Sequence, residues 1–170
     1  MTGEGKARVL RDEKGERAKF EDIEVGKDLG SLEWIITQEM IDAQCLMDED
    51  YHEWYKIDSP FGGVIAPPQI TYRPPRWLLS RTYNVRGLFY KWQMENLAPI
   101  KPNEKIIISA RIVDKWIKNN REYISYEAVG VNEAGEELFR TRRTHVLDYI
   151  ERTAPRTGVG IDSGIKAESI

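Results

Sequence analysis

EKIIISARIVDKWI, residues 104–117, decides the fold. Ile106, Ile108, Ala110 and Ile112 recur at every second position, so one face of an extended strand is apolar. Asn119-Asn120 follows as a hairpin turn, because asparagine tolerates the backbone that tight turns demand. REYISYEAVGV (121–131) reads as the return strand. Asn132-Glu133-Ala134-Gly135 is the next turn, and ELFRTRRTHVLDYI (137–150) a third strand. Long strands joined by short polar turns predict an antiparallel meander.

Upstream, GLFYKWQMENLAPIKP (87–102) predicts another strand that ends in a Pro-rich turn. A helix is expected around 75–83. Pro75 suits its first turn, and Trp77, Leu78 and Leu79 give it an apolar side. Pro74 would break any helix running through it, so 66–74 is not expected to be regular helix. Nearer the N-terminus, FEDIEVGKDLG (20–30) has a turn at Gly26-Lys27-Asp28, and SLEWIIT (31–37) reads as a strand. Thr37 caps a helix over QEMIDAQCLM (38–47), with Met40, Ala43 and Met47 at helical spacing and Glu39 at the positive end of the dipole. Residues 48–68 are expected to be irregular. The fold class is α+β: an early strand and one or two helices, then a long antiparallel sheet whose apolar face the helix near 75–83 covers.

The chain has 170 residues, enough for one domain with a real core. Residues 1–19 read as a mobile arm, 20–152 as the domain and 153–170 as a loose tail. Apolar residues make up 41% and charged residues 31%, which places the chain among globular proteins. The net charge of −3 and the lack of a basic block speak against nucleic acid as a partner. No apolar run reaches the roughly 18–20 residues of a membrane span. The charged N-terminus shows no secretory signal, and a cytoplasmic location is the default expectation. Cys45 is the only cysteine, so neither an internal disulfide nor a cysteine-cluster metal site is expected.

Reactive residues concentrate in MDEDYHEWY, residues 47–55. His52 stands among Asp48, Glu49, Asp50 and Glu53. A carboxylate can orient an imidazole and stabilise its charged form, as a general base requires. A solvated acidic loop with docked aromatics fits the same residues. In DSPFGGVIAPP (58–68), Gly62 and Gly63 permit positive φ and could present amides to a carbonyl oxygen or a phosphate. A tight turn into a buried segment also explains them. RTRR (140–143) could bind phosphates, with Arg143 pointing away from Arg140 and Arg142, though a solvated outer sheet face accounts for it more simply. His145 reads as structural. Arg73, Arg76, Arg81 and Arg86 flank the second helix and could meet an anionic ligand. Walker, GxGxxG, HExxH and GxSxG motifs are all missing.

The order of these segments resembles the MaoC-like hydratases and dehydratases, in the version found in the N-terminal-type (FAS1-like dehydratase) domains of that family. FEDIEVGKDLGSLEWIITQEMIDA is similar to the family's opening, DSPFGGVIAPP to its FGG-x-IAPP element, and ENLAPIKPNEKI (95–106) to its PV-x-P-G-D element, with Asn103-Glu104 in place of Gly-Asp. RTRRTHVLDY fits its close. The resemblance runs from about Phe20 to Tyr149.

The resemblance implies a single hotdog domain, a long antiparallel sheet wrapped around a central helix, pairing edge to edge as a homodimer or with another hotdog chain. It implies acyl thioesters of coenzyme A or a carrier protein as ligands, no metal, no redox cofactor, and reversible addition of water to a trans-2-enoyl thioester. An aspartate and a histidine spaced D-x4-H would activate the water, and an amide at the start of the central helix would polarise the thioester carbonyl. Carried over, the aspartate falls on Asp50 and the histidine on Tyr55, which cannot act as a base near neutral pH. His52 lies only two residues from Asp50. The amide falls on Pro68, which has no N–H, or on Gln69 if the helix starts later. Trp54, Gly62, Gly63 and Gln69 are the candidate substrate-binding residues; Phe61, Tyr72 and Trp77 could line a wide apolar pocket or build the core. The resemblance implies a hydratase or dehydratase using Asp50, His52 and Tyr55, or a non-catalytic acyl-CoA-binding subunit that supports a catalytic hotdog partner. The third alternative is an acyl-CoA thioesterase, which the same fold hosts but the MaoC-like motifs argue against.

Overall fold

The computed structural model describes residues 17–85 and 87–147. Most of the expected arm, Arg86 and the whole expected tail lie outside the described residues. The elements are β1 (Asp28–Ile35), α1 (Gln38–Asp48), α2 (Pro74–Thr82), β2 (Leu88–Asn96), β3 (Lys105–Lys118), β4 (Arg121–Asn132) and β5 (Glu137–Val146). Short 3-10 turns cover Glu53–Tyr55 and Pro68–Tyr72. The strands form one antiparallel sheet in the order β1-β3-β4-β5-β2.

Local chemistry explains most boundaries. The β3–β4 turn places Asn119 and Asn120 at φ 50° and 57°, the doubly left-handed geometry whose twist matches the flanking strands. Thr37 Oγ1 accepts the Met40 N–H at 3.3 Å and so caps α1. Helix α1 ends at Glu49, which is left-handed at φ 55° although it is not glycine. Strand β1 starts at Asp28 rather than Ser31, because paired hydrogen bonds from Gly26 to Ile112 and from Ile112 to Lys27 carry the pairing upstream. Helix α2 starts at Pro74, with both prolines in its first turn, where a missing N–H leaves no helical bond unmade inside the helix. Asn103, which stands where the element it resembles has glycine, is left-handed at φ 64°. Asparagine is among the few side chains that take this conformation readily.

The core lies between α2 and the sheet. Ile106, Ile108, Ala110 and Ile112 are all buried, as their alternation predicts, and Leu78 and Leu79 of α2 are wholly buried. Helix α2 makes its sheet contacts with β1 and β3. Each such leucine or isoleucine contributes about 1.5–3 kcal/mol relative to remaining exposed.

RTRR departs in part from a solvated outer face. Arg140 and Arg142 obey that expectation, pairing with Glu137 and with Asp114 and Glu127. Arg143 is on the inner face and only 1% exposed, directly across β4–β5 from the fully buried Tyr126. His145, two residues on, is buried too, as its structural reading implies. Burial, then the charges of Arg76 and Arg143, push its pKa down to about 3, so the ring is neutral near pH 7.

Candidate functional site

The loop between α1 and α2 and the segment after β2 enclose an apolar pocket of about 280 Å³. Trp54, Tyr55, Phe61, Ile65, Ala66 and Pro68 form one wall; Asn96, Leu97, Ala98, Pro99 and Ile100 form the other. Two Pro-bounded stretches, VIAPP and LAPIKP, run extended past one another. Ile65 N–H donates to the Trp54 carbonyl at 3.0 Å, and Ala66 N–H to the Ile100 carbonyl at 2.7 Å. These bonds satisfy backbone that would otherwise be buried unpaired. Trp54 and Phe61 meet edge to face, centroids 5.9 Å apart, at one end of the pocket.

Tyr55 is half-buried in that wall. Burial, reinforced by the negative charge of Asp50, raises its pKa, so it presents a neutral phenol, a hydrogen-bond donor rather than a base. The same carboxylate contributes, after burial, to raising the buried Cys45 thiol. Asp50 Oδ1 accepts the His52 N–H at 3.3 Å. His52 is exposed, and its Nδ1 accepts the Trp54 N–H at 3.2 Å, which caps the Glu53–Tyr55 turn. Its ring contacts Trp54 and Tyr55 from outside the pocket lining.

The glycine pair plays a different part from the expected ligand cradle. Gly62 and Gly63 have φ 78° and 94°, so the turn does need glycine. Their amides are already occupied: Gly62 donates to the Ser59 carbonyl at 3.1 Å and Gly63 to Asp58 Oδ1 at 2.9 Å. A Cβ on either would meet nothing within 4 Å among the described residues, so that side of the turn is open. Gln69 is exposed in the 3-10 turn and outside the pocket lining, and Pro68 lines the pocket without an N–H to offer. Of the aromatics weighed as lining, Trp54 and Phe61 face the pocket. Trp77 and Tyr72 lie elsewhere, Tyr72 packing on Phe89 and Trp92. Ile65, Ala66, Leu97 and Ile100 escaped the sequence reading; the signal was the pairing of two short apolar runs, each closed by proline.

Arg76 turns inward beside Ser80 and donates to the Val85 carbonyl at 3.1 Å. Among the described residues no three His, Cys, Asp or Glu side chains gather as metal ligands would. No helix among them is long and apolar enough to cross a membrane.

No protein-family model matches the sequence, and no curated protein matches it. Solved structures match in fold. R-hydratase PhaJ1 from Pseudomonas aeruginosa superposes with a TM-score of 0.64 at 13% identity, over 75% of this chain and 84% of that one. The MaoC-like dehydratase from Rhodospirillum rubrum gives 0.60 at 18% identity, over 75% and 94%. The 3R-hydroxyacyl-ACP dehydratase complex HadBC from Mycobacterium tuberculosis gives 0.63 at 12%, over 72% and 96%. The chain has the hotdog fold of these hydratases and dehydratases, the α+β architecture that its meander and covering helix imply.

Proposed function

We propose that this chain is the acyl-binding hotdog subunit of a hydratase or dehydratase, with a second hotdog chain supplying the reacting groups. The substrate on this reading is an acyl thioester of coenzyme A or of a carrier protein. The reaction is reversible addition of water to a trans-2-enoyl thioester, hydroxyl to C3 and proton to C2, and no further cofactor is needed. One observation carries the reading. The wall of the apolar pocket bears Tyr55 where the resemblance expects a catalytic histidine, while the nearby His52 has its Nδ1 committed to the backbone of Trp54.

Two further features support it. The pocket wall at Pro68 offers no amide for the thioester carbonyl. Strand β2 is an edge of the sheet among the described residues, with Leu88, Tyr90 and Trp92 exposed, which suits pairing with another hotdog strand. HadBC, similar in fold, is a complex. A second reading makes the chain a self-sufficient hydratase, and the proximity of Asp50 to both Tyr55 and His52 favours it.

The test is to offer the purified chain crotonyl-CoA and a longer trans-2-enoyl-CoA, following binding by calorimetry and hydration by loss of the conjugated thioester's absorbance. Binding without turnover is expected. Turnover that vanishes in Asp50→Asn would replace the proposal with the second reading. A folded chain that binds neither compound would end both.

A further inference from the structure

In a continuous helix each carbonyl accepts the N–H four residues on. For Thr71 that donor would be residue 75, a proline, which has none. For Tyr72 it would be Arg76, whose N–H donates instead to the Arg73 carbonyl at 3.0 Å. Pro75 and the Arg76–Arg73 bond thus leave two adjacent carbonyls without their backbone donors at the junction of the Pro68–Tyr72 turn and α2. Arg143, reaching up from β5, meets both. Its Nη1 donates to the Tyr72 carbonyl and its Nη2 to the Thr71 carbonyl at 3.3 Å.

The guanidinium is buried, and no carboxylate pairs with it among the described residues. A buried charge without a counter-ion is costly unless dipoles replace the ion. Here the two carbonyls do so, helped by the faces of Tyr72 and Trp92, whose centroids lie 5.0 and 5.4 Å from the guanidinium carbon. A planar fork can serve two carbonyls at once, as a lysine ammonium on a flexible stem cannot with the same fixed geometry.

We propose that Arg143 is a positioning residue: it fixes the angle between the Pro68–Tyr72 turn and α2, and through Pro68 it sets the shape of the apolar pocket. What the pocket holds rests on the acyl reading above; the geometric link does not.

The experiment exploits the cause of the gap. In Arg143→Met both carbonyls lose their donors. Adding Pro75→Ala supplies a backbone N–H that can close on Thr71. Protein labelled with 5-fluorotryptophan gives one fluorine resonance per tryptophan, and Trp54→Phe identifies the one in the pocket wall. Arg143→Met is expected to displace the Trp54 resonance and to lower the thermal midpoint by on the order of 10 °C. The double variant is expected to bring both back by at least half. Were Arg143 a generic core residue, the Trp54 resonance would stay in place in the folded single variant, and the proposal would be overturned. A double variant that fails to return that resonance also overturns it. Should Arg143→Met not fold, Arg143→Lys carries the same two readouts. A wild-type chain that binds no enoyl-CoA would sink the acyl reading while leaving these fluorine results decisive.

Discussion

His52 Nδ1 accepts the backbone N–H of Trp54 across 3.2 Å, and this bond decides what the imidazole can do. With Nδ1 accepting, the lone pair a general base would use is already engaged by the backbone. His52 holds the short turn that presents Trp54 and Tyr55 to the pocket. His52→Ala is therefore expected to lower unfolding free energy by about 0.5–1 kcal/mol in denaturant titration. Affinity for a long-chain enoyl-CoA should change less than threefold. A tenfold loss of binding would return His52 to the site.

Leu97 lines the pocket yet is half exposed, so bulk can be added there without crowding the core. Leu97→Trp should weaken binding of a long acyl thioester at least tenfold, while the thermal midpoint moves by no more than about 2 °C. Unchanged affinity would remove this pocket from consideration as the acyl site.

Much of the fold was legible because its signals are local. Ile106, Ile108, Ala110 and Ile112 declare their face by period alone, and Thr37 and Asn119-Asn120 by turn chemistry. Arg143 was not legible. A guanidinium in a strand reads as solvated until the junction before α2 is known to leave carbonyls facing it, and that meeting is made by tertiary structure. The same holds at the site. The positions of Tyr55 and Trp54 could be matched by motif, and both reach the pocket. Gly62, Gly63 and His52 could be picked out by type, but their hydrogen bonds to Ser59, Asp58 and Trp54 occupy the groups that made them attractive.

Glu49 ends α1 in the left-handed region, which costs a residue with a Cβ roughly 1 kcal/mol. Glu49→Gly should relieve that strain and stabilise the protein by about 0.5 kcal/mol, after allowing for glycine's freer unfolded chain. Chemical denaturation reads this directly; a destabilised variant would show that the glutamate side chain itself holds the loop.

Two glycines should resist substitution for different reasons, and to different degrees. A Cβ at Gly130 would stand 2.2 Å from the Phe139 ring, so Gly130→Ala must displace a core aromatic and should cost about 1–3 kcal/mol. At Gly63 the space is open, so Gly63→Ala costs only the strain of φ 94°, about 1 kcal/mol, with acyl binding kept. Equal costs at the two sites would contradict this distinction.

The buried, neutral His145 should make stability fall in acid. Its pKa is about 3 folded against about 6.5 unfolded, so between these values the unfolded chain binds the extra proton. Stability therefore rises with pH across that window and is complete above it. Between pH 7 and pH 5 the loss should reach roughly 2 kcal/mol. His145→Gln should remove most of this dependence, and an unchanged pH profile in that variant would assign it to other groups.

Strand β1 is synthesised before the other described strands, yet its partner β3 lies most of the domain away, whereas β3, β4 and β5 follow one another through tight turns. Loop closure favours near neighbours, so the meander is expected to close first and to recruit both edge strands later. On the ribosome, the apolar side of β1, with Leu29 and Leu32, leaves the exit tunnel long before the surface that will cover it exists.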